Sequence, residues 1–428
     1  PRPKNEWEKR YGTFNRRLFA ATLDAAIAVM TFVPLVGYLV RSQYGPPTVT
    51  AADIQGFAIG ATGFLDAIRL IAEGLATSGH TEYMANEMRW QFYGFALYSV
   101  VFWHFLGATP GKLICGLKIV DAKTGEILAL ANWPTYNPNN RSQLSGGQLR
   151  NRAVTDSFEP GSTMKPFVAA LALDRGKYKF DSIINCAPGK MTIGSATISD
   201  AHPHGALTLA QVIQKSSNIG ATKIALGFPS EDMWTMFSKL GFGKPVGLGF
   251  PGEVGGRLRP WQTWKPIEQA TMSYGHGISV TVVQLAHAYT AFARDGDVVP
   301  LSLVKTNGAV AGQPVFAPET SRQVRQMLEM VVSPEGTANK AAVPGYRVGG
   351  KTGTAHKLVG GRYANKYLAS FVGIGPISDP RLVVGVVVDE PVGGHYGGDV
   401  AGPAFSQIMG GALRTLGLSV EATGDDPT

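Results

Sequence analysis

The chain has 428 residues, 44% of them hydrophobic, with a formal charge of +8 and an isoelectric point near 9.3. That length has room for two or three domains. The basic balance comes without a basic run interleaved with aromatics and without zinc-ligand spacing, which sets nucleic acid aside and leaves a polyanionic wall or anionic lipid as the better partner. The two cysteines, Cys115 and Cys186, read as unpaired small apolar residues rather than a disulfide. The chain opens on Pro-Arg-Pro rather than Met, the start expected of a processed or excerpted sequence.

The apolar excess is concentrated before about residue 107. Six basic side chains (Arg2, Lys4, Lys9, Arg10, Arg16, Arg17) precede Leu18 to Val40, a stretch with a single charge, Asp24. It is long enough to span the hydrocarbon core, and its basic flank argues for an inside N-terminus. Trp90 to Leu106 is a second candidate span. Between them, Asp53 to Ala76 carries Asp66, Arg69 and Glu73 on one helical face, and reads either as a third span with inward charges or as a surface helix. Two spans return residue 118 to the cytoplasm; three deliver it outside. Arg17 and Asp24, followed by Ala108-Thr109-Pro110-Gly111-Lys112 through Gly116-Leu117-Lys118-Ile119-Val120-Asp121, resemble the RDD family of membrane domains. That resemblance implies a helical membrane module over residues 1–118 with membrane lipid as its surroundings.

Downstream, Leu117 to Ala131 predicts a strand hairpin turning at Asp121 to Gly125. Asn132 to Gly147 is a loop rich in Pro, Asn, Ser and Gly. Helices are expected from Thr163 to about Leu226, then a Gly/Pro-rich connector over Gly241 to Pro260, then helices at Val282 to Arg294 and Ser321 to Val332. Strands follow at Tyr346 to Val348, Thr352 to Ala355, Ala369 to Ile374 and Leu382 to Val388, and a last helix at Ala404 to Leu416. A hairpin, a helical block, and an antiparallel sheet closed by a helix make an α+β layout over 119–419, with 420–428 as a polar tail.

Three short stretches carry the chemistry. Pro160-Gly161 breaks the chain before Ser162-Thr163-Met164-Lys165, so a helix is predicted to start near Ser162, with Lys165 one turn on and on the same face. An amine that is partly desolvated can be neutral, and a neutral amine within reach makes a serine a nucleophile. Taken alone, this motif has a bland reading as an N-cap serine with a surface lysine. Lys215-Ser216-Ser217-Asn218 adds a second hydroxyl and a carboxamide. Gly350-Lys351-Thr352-Gly353-Thr354 adds a second lysine and two hydroxyls. One lysine must be neutral to take a proton and the other charged to hold a carboxylate, so Lys351 near Lys165 is expected to push the Lys165 pKa down. The ordered series S-x-x-K, S-x-N, K-T-G-T is that of penicillin-interacting serine acyl-transferases.

With Leu149 to Asp156, Gln214 to Ile219, Tyr346 to Ala355 and Tyr396-Gly397-Gly398 through Met409, these motifs resemble a class B penicillin-binding protein of the division-specific transpeptidase type. The resemblance implies a penicillin-binding-protein transpeptidase fold and the following roles. Ser162 attacks the D-Ala-D-Ala bond and Lys165 takes its proton. Ser216, helped by Lys351, relays a proton to the leaving D-alanine. Asn218, Thr352, Gly353 and Thr354 bind substrate, and the backbone N–H groups of Ser162 and Thr354 form the oxyanion hole. It implies no metal or other cofactor. The implied partners are peptidoglycan stem peptides, β-lactams, a lipid II-polymerising glycosyltransferase and other division proteins. The implied location is the bacterial inner membrane with the catalytic domain in the periplasm. The sequence departs from the class B pattern in joining an RDD-like segment almost directly to the first catalytic strand, where that class carries a non-catalytic pedestal.

Two rival readings stand beside this one. A serine β-lactamase or D,D-carboxypeptidase would resolve the same acyl-enzyme with water, for which Glu159 is the nearest carboxylate in sequence. A membrane transport or sensor protein would use the domain only as a receptor. His276 reads as a turn residue near the cleft, and His202, His204, His356 and His395 as scattered loop residues without a catalytic role.

Overall fold

The structure, a computed structural model, describes residues 114–139, 145–360, 362–392 and 394–421. The chain divides into two compact units, Pro1–Lys112 and Leu113–Thr428, and the described residues all fall in the second. The membrane segments read from the sequence, with Arg17 and Asp24, lie outside the described residues. Among those described, no helix is long and apolar enough to cross a membrane.

In chain order the elements are β1 (Ile114–Asp121), β2 (Ile127–Ala131), the short helices α1 (Gly146–Leu149) and α2 (Arg152–Thr155), then a 3₁₀ turn (Gly161–Met164) running into α3 (Lys165–Asp174). Four short strands follow, β3 (Ile183–Asn185), β4 (Lys190–Ile193), β5 (Ala196–Ser199) and β6 (Ala206–Thr208). Next come α4 (Leu209–Gln214), α5 (Asn218–Ala225), α6 (Ser230–Lys239), α7 (Pro266–Met272), α8 (Val282–Ala293), β7 (Asp297–Val298), β8 (Gln313–Pro314) and α9 (Pro318–Val332). The chain ends with β9 (Gly349–Val359), β10 (Arg362–Gly375), β11 (Leu382–Asp389), α10 (Gly397–Val400) and α11 (Gly402–Thr415).

Five strands form one antiparallel sheet in the order β2-β1-β11-β10-β9, which leaves β9 at an edge. The central strand β11 is buried from Leu382 to Val388, the continuous apolar run expected when both faces are covered. The covering helices are identified by two glycines. A side chain at Gly385 of β11 would meet Val282 of α8, and one at Gly373 of β10 would meet the Phe405 ring of α11. Gly385 pairs with Val372, the neighbour of Gly373, and successive residues of a strand point to opposite faces. Helices α8 and α11 therefore sandwich the sheet.

The helical block is centred on α3, whose residues Lys165 to Ala172 are all buried. A helix apolar on every side belongs inside a domain. Phe167 anchors it, with its ring 5.0 Å from Phe292, 5.3 Å from Tyr289 and 5.7 Å from Phe242.

Several expectations are corrected. The helix predicted at Ser162 begins as a 3₁₀ turn, and regular α geometry starts only at Lys165. The stretch from Thr163 to Leu226 is not continuously helical, because β3–β6 and β4–β5 form two small hairpins inside it. Helices α6 and α7 were not predicted. Tyr346 to Val348 precedes β9 instead of forming a strand, while β9 and β10 extend into a longer polar hairpin. Strand β1 starts at Ile114, upstream of the 118/119 boundary read from the sequence. The tail is tied down at its beginning, where Glu421 accepts from the Arg347 N–H at 2.9 Å and donates its own N–H to Gly345.

Candidate active site

The serine turn is held against the sheet edge by close backbone approaches. Gly161 has φ +60°, a left-handed value that glycine adopts without strain. A side chain there would sit 3.2 Å from the Thr354 carbonyl oxygen and 3.4 Å from its nitrogen. On the other side, a side chain at Gly275 would lie 2.1 Å from the Gly161 carbonyl oxygen. Thr163 Oγ1 donates to the Pro160 carbonyl at 2.8 Å, and the Tyr289 hydroxyl donates to the Thr163 carbonyl at 2.8 Å. In a 3₁₀ turn residues i and i+3 eclipse, so Ser162 and Lys165 are aligned more tightly than an α-turn would place them. The Thr354 backbone is thus set beside the residue preceding Ser162, bringing together the two segments expected to supply oxyanion donors.

The S-x-N stretch closes the cleft from the helical side. Ser216 has φ +59°, an uncommon conformation for a residue with a side chain. Its hydroxyl is the junction of the site: Lys165 Nζ lies 3.1 Å from Oγ and Lys351 Nζ 3.0 Å from it. Lys165 Nζ also donates to the Ser216 carbonyl at 2.5 Å and to Asn218 Oδ1 at 2.7 Å. Lys351 Nζ donates to Thr352 Oγ1 at 3.2 Å and lies 3.4 Å from the Thr352 carbonyl. Thr354 Oγ1 accepts from the Gly397 N–H at 3.0 Å. A side chain at Gly353 would meet Ser370 Oγ and the Pro160 carbonyl, so this glycine lets β9 lie directly against the serine turn. The candidate residues from the three motifs therefore converge. One expected contact is absent: among the described residues, Ser162 Oγ has no hydrogen-bond partner, and Lys165 points to Ser216 and Asn218.

Both lysines are buried, at 1% and 0% exposure. Burial lowers the Lys165 pKa well below its usual value, the Lys351 charge lowers it further, and Asp200 opposes the shift. Burial brings Lys351 down to about 7. Burial therefore outweighs the like-charge repulsion expected from the sequence, in the same direction.

Asp200 is the residue the sequence reading missed. One carboxylate oxygen accepts from the backbone N–H groups of Asn218 and Ile219, the second at 2.9 Å, and the other accepts from Ser217 Oγ at 2.8 Å. It thereby caps α5 and fixes the turn carrying Ser216. The asparagine amide is held by the Ser199 carbonyl at 2.9 Å. Ser217 Oγ also accepts from the Gly220 N–H at 2.9 Å, as an N-cap. Ser217→Ala is accordingly expected to lower stability by about 1 kcal/mol while penicillin acylation continues. In Asp200→Asn, acylation is expected to slow and its acid limb to move to lower pH, because the carboxylate that favours protonated Lys165 is gone. Thermal denaturation and penicillin labelling of Ser217→Ala check the first outcome, and a pH–rate series on Asp200→Asn checks the second.

Glu159 and the histidines also gather at this mouth. Glu159 accepts from the Gly277 N–H at 2.8 Å and from the Tyr363 hydroxyl at 3.0 Å, with His276 Nδ1 3.8 Å away. Burial lowers the His276 pKa. His356 lies in β9 rather than in a loop, and its ring is 4.5 Å from that of Tyr367. The Tyr367 ring is in turn 4.3 Å from that of His395. Three histidines read as unrelated are thus brought to one rim.

The Penicillin binding protein transpeptidase domain profile matches residues 116–410. The chain belongs to that family. The RDD family profile matches residues 11–133, making this a membrane-associated member of the transpeptidase family. The probable peptidoglycan D,D-transpeptidase PenA of Neisseria gonorrhoeae is 49% identical over 303 residues, 70% of this chain and 52% of that protein. The peptidoglycan D,D-transpeptidase FtsI of Escherichia coli K12 is 45% identical over 311 residues, 72% of this chain and 53% of its own length. The chain thus spans about half the length of the curated relatives it matches. The apo structure of the TP domain of Burkholderia pseudomallei penicillin-binding protein 3 is 50% identical, with a TM-score of 0.67, covering 73% of this chain and 91% of that one. The α+β arrangement of this family is the one expected from the motif order.

Proposed function

We propose that the chain is a membrane-anchored peptidoglycan D,D-transpeptidase that cross-links stem peptides through an acyl-enzyme on Ser162 and is trapped there by β-lactams. The observation that carries the reading is the Ser216 hydroxyl held between two buried lysines, beside the Ser162 turn and the Thr352–Thr354 edge.

Neutral Lys165 has two N–H donors and one lone pair. It donates to the Ser216 carbonyl and Asn218, and takes the Ser216 hydroxyl proton as an acceptor. Lys351 donates to the same hydroxyl oxygen. As Ser162 Oγ attacks the scissile carbonyl, the Ser216 hydroxyl turns its proton towards the D-alanine nitrogen, which frees the Lys165 lone pair to take the Ser162 proton. As the C–N bond breaks, Ser216 gives its proton to the departing D-alanine nitrogen and is refilled from Lys165. The Ser162 and Thr354 N–H groups stabilise the oxyanion, a contact whose loss costs about 10²–10³ in rate. Lys351 and the hydroxyls of Thr352 and Thr354 hold the terminal carboxylate, and that carboxylate draws Lys351 back to its charged form. An amine from a second stem peptide then attacks the ester, its proton leaves through Lys165, and Ser162 is restored.

Glu159 is the carboxylate nearest Ser162 in sequence. Its oxygens accept from the Gly277 N–H and the Tyr363 hydroxyl, which ties the carboxylate to the 277 turn and the β10 hairpin and favours a positioning role over that of a deacylating base. The N-terminal unit, Pro1–Lys112, serves as the membrane anchor, and the catalytic unit works in the periplasm at the division septum. Its partners there are a lipid II-polymerising glycosyltransferase and other division proteins.

The test is a labelled, membrane-impermeant penicillin applied to intact cells. A long-lived adduct mapping to the Ser162 peptide is expected. Rapid turnover would indicate a β-lactamase, and labelling only after lysis would place the catalytic unit on the other side of the membrane. Because Lys165 must be neutral, acylation is expected to persist at neutral pH and to fall as the medium is acidified. A pH-independent rate would remove Lys165 as the base.

A further inference from the structure

On the transpeptidase reading above, the mouth histidines stand along the strand edge that a donor peptide would follow. Thr352, Thr354 and His356 follow one another at two-residue steps along β9, so their side chains leave the same side of the strand. If the two threonines hold the donor's terminal carboxylate, the rest of an extended donor runs along this edge. The third stem residue, two positions before the terminal D-alanine, then lies about 7 Å along the strand direction, the spacing from Thr354 to His356. That residue carries an amine and, in diaminopimelate, a carboxylate as well.

Tyr367 pairs with His356 across β9 and β10, and its ring also stacks on that of His395 at 4.3 Å and 23°. The loop bearing His395 is anchored at the same place by the Gly397 N–H to Thr354 Oγ1 bond. His356 Nδ1 lies 3.2 Å from the Ala364 carbonyl. The fixed charges around this stack pair off among themselves. Lys357 of β9 bonds Asp389 of β11 at 2.6 Å and Glu390 at 2.9 Å, and Lys366 of β10 bonds Glu390 at 2.9 Å. Glu159, from the serine turn, is engaged by Gly277 and Tyr363, and the 274–277 turn contributes Tyr274 and His276, the latter repelled by Lys165 and His356. Among the described residues, the side chains of this wall left outside those pairs that can gain a charge between pH 5 and 8 are imidazoles.

We propose that His356 and His395, whose rings both contact that of Tyr367, form a subsite for a carboxylate on the donor's third residue, and that protonation of these two rings sets how strongly an anionic side chain is preferred.

The experiment uses the full chain and two penicillins that differ by one side-chain carboxylate, benzylpenicillin and carbenicillin. Acylation rate constants are measured at pH 8 and pH 5.5. Both ligands share the protonation of Lys165, so their ratio cancels it. The carbenicillin-to-benzylpenicillin ratio is expected to rise roughly three- to tenfold on acidification, the scale of two partly exposed charge pairs. The rise should vanish in the double variant His356→Gln, His395→Gln. In His356→Arg, which keeps a charge at both pH values, the ratio should already be high at pH 8. A flat ratio in the unaltered chain, a rise that survives the double substitution, or an arginine variant with an unchanged ratio overturns the subsite. Failure of both penicillins to acylate the unaltered chain would instead overturn the transpeptidase reading.

Discussion

Lys165→Ala is expected to lower penicillin acylation by about 10⁴-fold or more, matching Ser162→Ala, because a nucleophile and its base act as one unit. The two variants should lose no more together than singly. Removing the lysine leaves Ser162 with only water to take its proton, and it also strips donors from the Ser216 carbonyl and Asn218 Oδ1. A merely structural role for Lys165 would predict that Lys165→Arg, which preserves those donors, restores acylation. A base role predicts that it does not, since guanidinium stays charged. Stopped-flow acylation of the three variants separates the alternatives, and rapid labelling of either alanine variant would defeat the assignment.

The second large effect separates activity from stability. Lys351→Met is expected to slow acylation by about 10²–10³, the scale of losing one preorganised donor, and yet to raise the thermal midpoint near neutral pH. The sign follows from proton counts. Lys351 has a folded pKa of about 7, below its unfolded value, so the unfolded chain binds more protons between about pH 7 and 10. Stability of the native protein therefore rises with pH over that window. Below it, the full cost of charging a buried amine is present. Methionine removes that cost but leaves Thr352 and Ser216 without a donor, for a net gain of about 1–3 kcal/mol at pH 7. The gain should shrink as the pH approaches 10. Thermal denaturation of both proteins at pH 7 and 9.5 checks it, and a variant less stable than its parent at pH 7 would show that Lys351 is held in place by more than its chemistry.

The residues that converge in the candidate site were more legible in this sequence than the scaffold holding them. Ser162, Lys165, Ser216, Asn218 and Lys351 announce themselves because each motif concentrates reactive groups within a few residues. Helix α3 was visible as an apolar run behind a Pro-Gly break. Asp200 was not, because its partners lie well along the chain and meet it only after β4 and β5 fold back over α5. The small hairpins were missed because strands of three or four residues are too short for alternation to register. The outer halves of β9 and β10 were missed because their polar residues face solvent, and pairing with each other, not burial, makes them strands. The histidine rim was invisible for a similar reason: His276, His356 and His395 come from three separated segments and share no spacing.

The left-handed backbone at Ser216 narrows what evolution or engineering can install there. Threonine would keep an exchangeable O–H, but a β-branched residue is a poor tenant of that region of φ/ψ space. Glycine and asparagine tolerate the conformation, but neither brings a hydroxyl to stand between the amines. Serine is the side chain that meets both demands at once, so resistance to β-lactams has little room to arise by exchanging this residue and must be sought in the walls around it.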